Sequence, residues 1–330
     1  MSIYNEPEEW LKDSIESILH QTFTDLEFII VNDNPGRALN GQILEHYSSI
    51  DKRIVRIDNP SNIGLTVSLN NAFKNAKGKY IARMDADDIS LPKRLEIQYE
   101  YMEKNSAIGV CGAWIQYFGA INIWSARINK LPLTSIDIET SFAFSNPMVH
   151  PTAFFRKECL DRHQIMYNEQ VKNAQDYLLW ENLLNHSIQL ANIGKVLLRY
   201  RVSKEQISNK MKDNQNSVAN AIQLRALDKI GIALTSSEKE LYLKLMNRAV
   251  LNNMDSFKRA ELILLRLRSK MIPNKASHSE LVKRLMHVEW VYCFINAKMK
   301  QRPWKLFLTS PLFRLRHFRM RDFAKILINR

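Results

Sequence analysis

KGKYIARMDADDISLPKR, residues Lys77–Arg94, is the stretch from which the fold of this 330-residue chain is read. Lys77-Gly78 is a turn signal. The apolar run Tyr80–Met84 predicts a short buried strand, which breaks into three acids within four positions, Asp85, Asp87 and Asp88. Side chains two apart on an extended segment point the same way, so Asp85 and Asp87 are expected to converge if strand geometry persists past Met84. Carboxylates that close repel and raise each other's pKa. A hard divalent cation, Mg2+ or Mn2+, would answer that repulsion and bridge to phosphate oxygens. The competing reading is that Asp87, Asp88 and Ser90 cap the helix implied by LPKRLEIQYEYMEK.

Upstream, Trp10, Leu11, Ile15, Ile18 and Leu19 recur at helical spacing between Glu8 and His20. Leu26–Val31 reads as a strand rich in β-branched residues, ending at Asn32-Asp33. Strand, helix and strand within about thirty residues make a βαβ unit, hence a parallel sheet with a right-handed crossover. Ligands bind such sheets at the carboxyl ends of the strands, where Asp33 lies; a loop aspartate capping its own turn is the alternative. Arg53–Ile57 predicts a third strand, then the turn-rich DNPSNIG and a helix from about Leu65 to Asn75. Asn62 and Gly64 stand where backbone would approach a nucleotide closely. Neither GxGxxG nor GxxxxGK[ST] occurs, which argues against dinucleotide-binding and P-loop chemistry and leaves phosphates to a metal. Arg83, beside the acids, either neutralises a diphosphate or pairs with Asp85 or Asp88. Downstream come a strand at IGVCGAWIQYF, His150 in SNPMVHPTAFFRKECL, and a helix at NAQDYLLWENLL with Gln175 and Asp176 in its first turn.

Five segments in this order resemble the inverting nucleotide-sugar glycosyltransferases of family 2: SIYNEP, SILHQTFTDLEFIIVND, NPSNIGLTVSLNNAFKNAKGKYIARMDADD, NAQDYLLW and KVLLRYRVSKEQIS. The resemblance covers about the first 205 residues. It implies an α/β, GT-A-like catalytic domain, a mostly parallel sheet flanked by helices, with an all-helical extension behind it. It also implies roles. Tyr4 and Glu6 would contact uridine, Asp33 the uracil imide, and Asp85, Asn62, Gly64 and Arg83 the rest of the donor. Asp87 would hold the metal and Asp176 would be the general base, with His150, Gln175 and Trp180 on the acceptor side. Relatives usually have several apolar residues before the first motif, where only Met1 precedes Ser2, so the first strand is expected to be short or to begin upstream. Asn32 stands where the family more often has an acid. Ser203 stands where many relatives have His, and Arg201 or Lys204 is expected to bind phosphate instead.

Charge divides the chain. Residues 1–209 hold 22 Lys+Arg against 25 Asp+Glu, and residues 210–330 hold 25 against 9, which predicts a catalytic domain over 1–209 and a basic helical region over 210–330. Helices are expected near 214–231, 237–253, 255–271 and 278–299, with capping boxes at Ser237/Glu240 and Ser277/Glu280. Cys111, Cys159 and Cys293 form neither a disulfide framework nor a zinc site and suit a reducing compartment. No stretch reads as a signal peptide or a membrane span. From Lys298 to Arg330, ten Lys or Arg face a single acid, Asp322, interleaved with aromatic and aliphatic residues. That pattern suits an anionic membrane surface, and less well a nucleic acid; a solvated face packed on its own domain is the plain alternative. The sequence reading is therefore a metal-assisted UDP-sugar glycosyltransferase on the cytoplasmic face of the membrane, acting on a glycan or lipid-linked acceptor in surface-polysaccharide synthesis. A metal-dependent nucleotidyltransferase and a non-catalytic adaptor are the alternatives.

Overall fold

A computed structural model describes residues 1–119, 127–203, 212–271, 276–299 and 303–318. Its contacts gather into two units, Met1–Ile138 with Asn146–Ala219, and Glu139–Ser145 with Asn220–Arg330. A short segment inside the expected catalytic half thus belongs to the second unit.

The first unit opens with β1 (Ser2–Ile3), α1 (Glu8–Leu19), β2 (Phe28–Asn32), α2 (Ala38–Ile50), β3 (Ile54–Asp58) and α3 (Leu65–Asn75). In α1 the apolar positions Leu11, Ile15 and Ile18 fall on one buried face, and each contributes about 1.5–3 kcal/mol of burial. The three strands form a parallel sheet in the order β1-β2-β3. Register pairs Ile3 with Asn32 and Asn32 with Asp58, so the loops starting at Tyr4, Asp33 and Asn59 leave from one edge.

The acid stretch enters a second sheet. It comprises β4 (Tyr80–Ala82), β5 (Ile89–Ser90), β6 (Ile108–Gly119), β7 (Ile128–Asn129), β8 (Phe154–Arg156) and β9 (Gln189–Val202), with α4 (Arg94–Lys104), α5 (Ser135–Ser141), α6 (Lys157–His163) and α7 (Gln175–Asn185) between them. The order is β4-β8-β6-β9-β5 with β7 on β6. Only β6 and β9 pair in parallel; the other ladders are antiparallel. The expected mostly parallel sheet therefore describes the first sheet and not the second. β4 ends at Ala82, earlier than the expected strand end at Met84, and the acids lie on the link carrying the chain from one edge of the sheet, β4, to the other, β5.

The second unit holds α8 (Lys212–Lys229, which begins in the first), α9 (Ser236–Met246), α10 (Met254–Met271), α11 (Ala276–Ile295) and α12 (Trp304–Thr309). Its core includes Tyr242, Phe257, Leu264, Trp290, Phe294 and Phe307, together with Ala143 and Phe144. The Tyr242 hydroxyl donates to the Ala143 carbonyl, and Gln223 Nε2 donates to the Phe144 carbonyl at 3.2 Å. The capping box of α9 is Thr235/Glu238 rather than Ser237/Glu240; the Ser277 side chain, Lys204 and residues 319–330 lie outside the described residues. Two apolar positions of the basic tail are core: Phe307 and Leu312 are each 1% exposed, and Phe307 stacks on Phe294 at 4.2 Å. Trp304, Leu308 and Leu315 remain exposed. Among the described residues no helix is long and apolar enough to cross a membrane.

Candidate active site

Oxygens of Asp85, Asp87 and Asp88 all lie within 4.8 Å of one another. The convergence comes from a turn over residues 86–88, not from strand alternation, so Asp88 joins the pair expected from sequence. The capping alternative fails, because α4 has no side-chain cap. Asp88 is fully buried, and its Oδ1 accepts the Arg201 amide at 2.8 Å. Its Oδ2 has no hydrogen-bond partner. Arg201 does not reach out to phosphate as expected. Its guanidinium Nε donates to the Asp87 carbonyl at 2.7 Å and Nη2 to Asp13 at 3.1 Å, and it lies against the rings of Trp10 and Phe118. On the other side, Ser14 Oγ donates to the Asp85 carbonyl at 2.8 Å. Arg83 is likewise internal: its side chain is 3% exposed and ion-paired with Asp85.

Burial raises the Asp87 carboxyl to about 6, helped by Asp85 and Glu6, and burial followed by Asp85 and Asp87 lifts Asp88 well above its ordinary value. Glu6 is raised too, first by burial, although the Tyr4 amide donates to its Oε2 at 2.8 Å and opposes the shift. Tyr4 itself is 46% exposed and open to a ligand.

Asp33 is 3% exposed and both of its oxygens are taken. Oδ1 accepts from Asn59 Nδ2 at 2.8 Å and the Ile63 amide at 2.9 Å, and Oδ2 accepts from the Gly64 amide at 2.9 Å. It thus fixes the Asn59–Gly64 loop at the end of β2. Gly64 is required by its φ of +91°, with no atom within 4 Å of the place where a Cβ would stand; the expected close approach is not the reason for it. Asn62 Oδ1 caps the same Gly64 amide at 3.1 Å and is exposed.

Asp176 sits in the first turn of α7, behind Ala174, whose φ of 55° is left-handed for a residue with a Cβ. Its Oδ2 accepts from Asn146 Nδ2 and its Oδ1 from the Tyr177 amide, both at 2.8 Å. Burial raises its pKa against those two hydrogen bonds. The loop before it is pinned to α3: Asn70 donates to the Tyr167 carbonyl and accepts from the Tyr167 amide, each at 3.0 Å. Gln175 is half-buried beside Asp176. His150 and Trp180, expected on the acceptor side, are both buried. Trp180 is fully buried and stacks on Phe155 at 5.7 Å. His150 is buried, its Nε2 is 2.6 Å from the Tyr167 hydroxyl, and burial lowers its pKa so that the ring stays neutral. Asn146, Ser14 and Asn59 escaped the sequence reading, since polar loop and helix residues carry no periodic signal, and Arg201 was read for phosphate rather than for the turn it braces.

Residues 1–163 match the model of glycosyl transferase family 2. An O-antigen biosynthesis glycosyltransferase of Escherichia coli, WbnJ, is 34% identical over 59% of this chain and 75% of its own length. The chain belongs to family 2. An uncharacterized glycosyltransferase of Methanocaldococcus jannaschii is 38% identical over 61% of this chain and 69% of that protein. In fold, the glycosyltransferase is similar to S. aureus TarS 1–349 solved with UDP-GlcNAc, at a TM-score of 0.54 and 15% identity over 99% of this chain and 88% of that one. The family 2 enzyme thus has a GT-A-like α/β fold with a helical C-terminal region.

Proposed function

We propose that this glycosyltransferase moves a sugar from a UDP-sugar to a hydroxyl of a glycan or lipid-linked acceptor, with inversion and with Mn2+ or Mg2+ assistance. The observation that carries the reading is the three-acid turn, whose oxygens lie within 4.8 Å of one another. The residues fit a divalent cation. Three carboxylates supply hard oxygen ligands, Asp88 Oδ2 is buried without a partner, and the protons that Asp87 and Asp88 tend to retain are those a cation displaces. Asp85, Asp87 and Asp88 would hold the ion, which when bound would stabilise a diphosphate leaving group.

The chain's own residues do the rest. Asp33 holds the Asn59–Gly64 loop beside the strand ends, and Tyr4 and Glu6 flank the same edge, where the nucleoside would lie. Asp176, half-buried and hydrogen-bonded, would take the proton of the acceptor hydroxyl as that oxygen displaces UDP in a single step. Work in surface-polysaccharide synthesis is supported by the O-antigen enzyme among the relatives. Association with the cytoplasmic membrane surface is supported by the +16 balance of residues 210–330 and by exposed Trp304, Leu308 and Leu315.

The test is a panel of UDP- and GDP-sugars incubated with the protein and Mn2+, scored for nucleoside diphosphate release. Release should be lost in Asp87→Ala and reduced roughly a hundredfold or more in Asp176→Asn, whose UDP affinity should stay unchanged. Full turnover by Asp87→Ala would remove the metal assignment. Appearance of the nucleotide within the product would identify a nucleotidyltransferase instead.

A further inference from the structure

We propose that Asn146 is a positioning residue for Asp176, orienting its carboxylate and holding it in the ionised form; this rests on the reading of Asp176 as the base. Asn146 Nδ2 donates to Asp176 Oδ2 at 2.8 Å, while its own Oδ1 accepts from the Met148 amide at 3.2 Å. The two contacts fix which end of the amide faces which partner. A flipped amide would set oxygen against carboxylate and nitrogen against N–H.

The backbone after Asn146 is held as well: the Pro147 carbonyl accepts from Asn192 Nδ2 at 3.1 Å. The other contact of the carboxylate is to its neighbour's amide, Tyr177 N, which moves with α7. Asn146 is therefore the side-chain donor that fixes the carboxylate from outside its own helix. A donor to a carboxylate favours the charged form, and burial disfavours it. A base must be ionised to accept a proton, so the donor keeps Asp176 competent at a pH where burial alone would protonate it. Arg83 acts in the same sense at longer range.

The test uses the full chain labelled with 13Cγ-Asp, the Asp176 resonance being assigned by its loss in Asp176→Asn. Its titration midpoint should rise by about one pH unit in Asn146→Ala, a tenfold fall in the ionised fraction below the midpoint. Asn146→Asp keeps the size and the acceptor for Met148 and should raise the midpoint at least as far, because a second carboxylate replaces the donor. This variant keeps the proposal testable if Asn146→Ala does not fold. An unchanged midpoint in the folded variants would overturn the proposal. Turnover that survives in Asp176→Asn would overturn the base assignment instead, and the NMR midpoints separate the two failures.

Discussion

Asn32 does one thing that an aspartate in its place could not: its Nδ2 donates to Asp58 at 2.8 Å. Its Oδ1 accepts from the Asn34 amide at 3.2 Å and from Asn40 at 3.1 Å, as a carboxylate oxygen also would. Asn32→Asp would put a carboxylate against Asp58 and should destabilise the fold by about 1–3 kcal/mol at neutral pH. Its folded-state pKa would be raised, so the loss should shrink as pH falls through that value, which urea midpoints at pH 7 and pH 4 would show. From sequence Asn32 was visible only as a departure from family habit, because its partners lie on α2 and β3. A second prediction concerns Asp87, held near 6 by burial and its neighbouring acids. A cation needs the ionised carboxylate, so below about pH 6 Mn2+ affinity should fall roughly tenfold per pH unit per displaced proton. Calorimetry in buffers of differing ionisation enthalpy would register the released proton, and a pH-independent affinity would rule out Asp87 as a ligand.

β9 is the element that carries the acid turn. Its last residues bring Arg201 against the Asp87 carbonyl and Asp13 of α1, so the acid turn is braced by a strand that follows it by more than a hundred residues. Arg201→Met should keep the fold, since the apolar stem still packs on Trp10 and Phe118, but weaken Mn2+ binding about 10–100-fold, the range for groups that orient ligands. Unchanged affinity would mean the turn holds itself. α1, α3, α7 and β2 were legible because hydrophobic spacing reports which residues face a core. It does not report which strand lies alongside, so β4 beside β8 and β5 beside β9 could not be read. The basic tail was legible only in part for a related reason. Apolar residues among lysines and arginines mark an amphipathic helix whether it meets lipid or its own core, and Phe307 and Leu312 took the second course.

At the scale of the molecule, the charge split still favours an anionic surface for the helical unit. Binding to anionic vesicles at low salt should collapse near 1 M salt, where the Debye length is roughly 3 Å. The double change Leu308→Ser and Leu315→Ser should weaken it further without lowering the melting temperature, because both side chains are exposed. Sedimentation with vesicles measures both, and indifference to salt would remove the membrane reading. The route of the backbone carries another consequence. It passes between the units at 138/139, at 145/146 and at 219/220, so no single cut separates them. A fragment ending at Ala219 should lose solubility, since Ala143 and Phe144 would lack the core that encloses them. Any chimera that exchanges the helical unit with a relative's must exchange residues 139–145 as well, and a helical unit gained or replaced at one junction would arrive with a seven-residue hole in it.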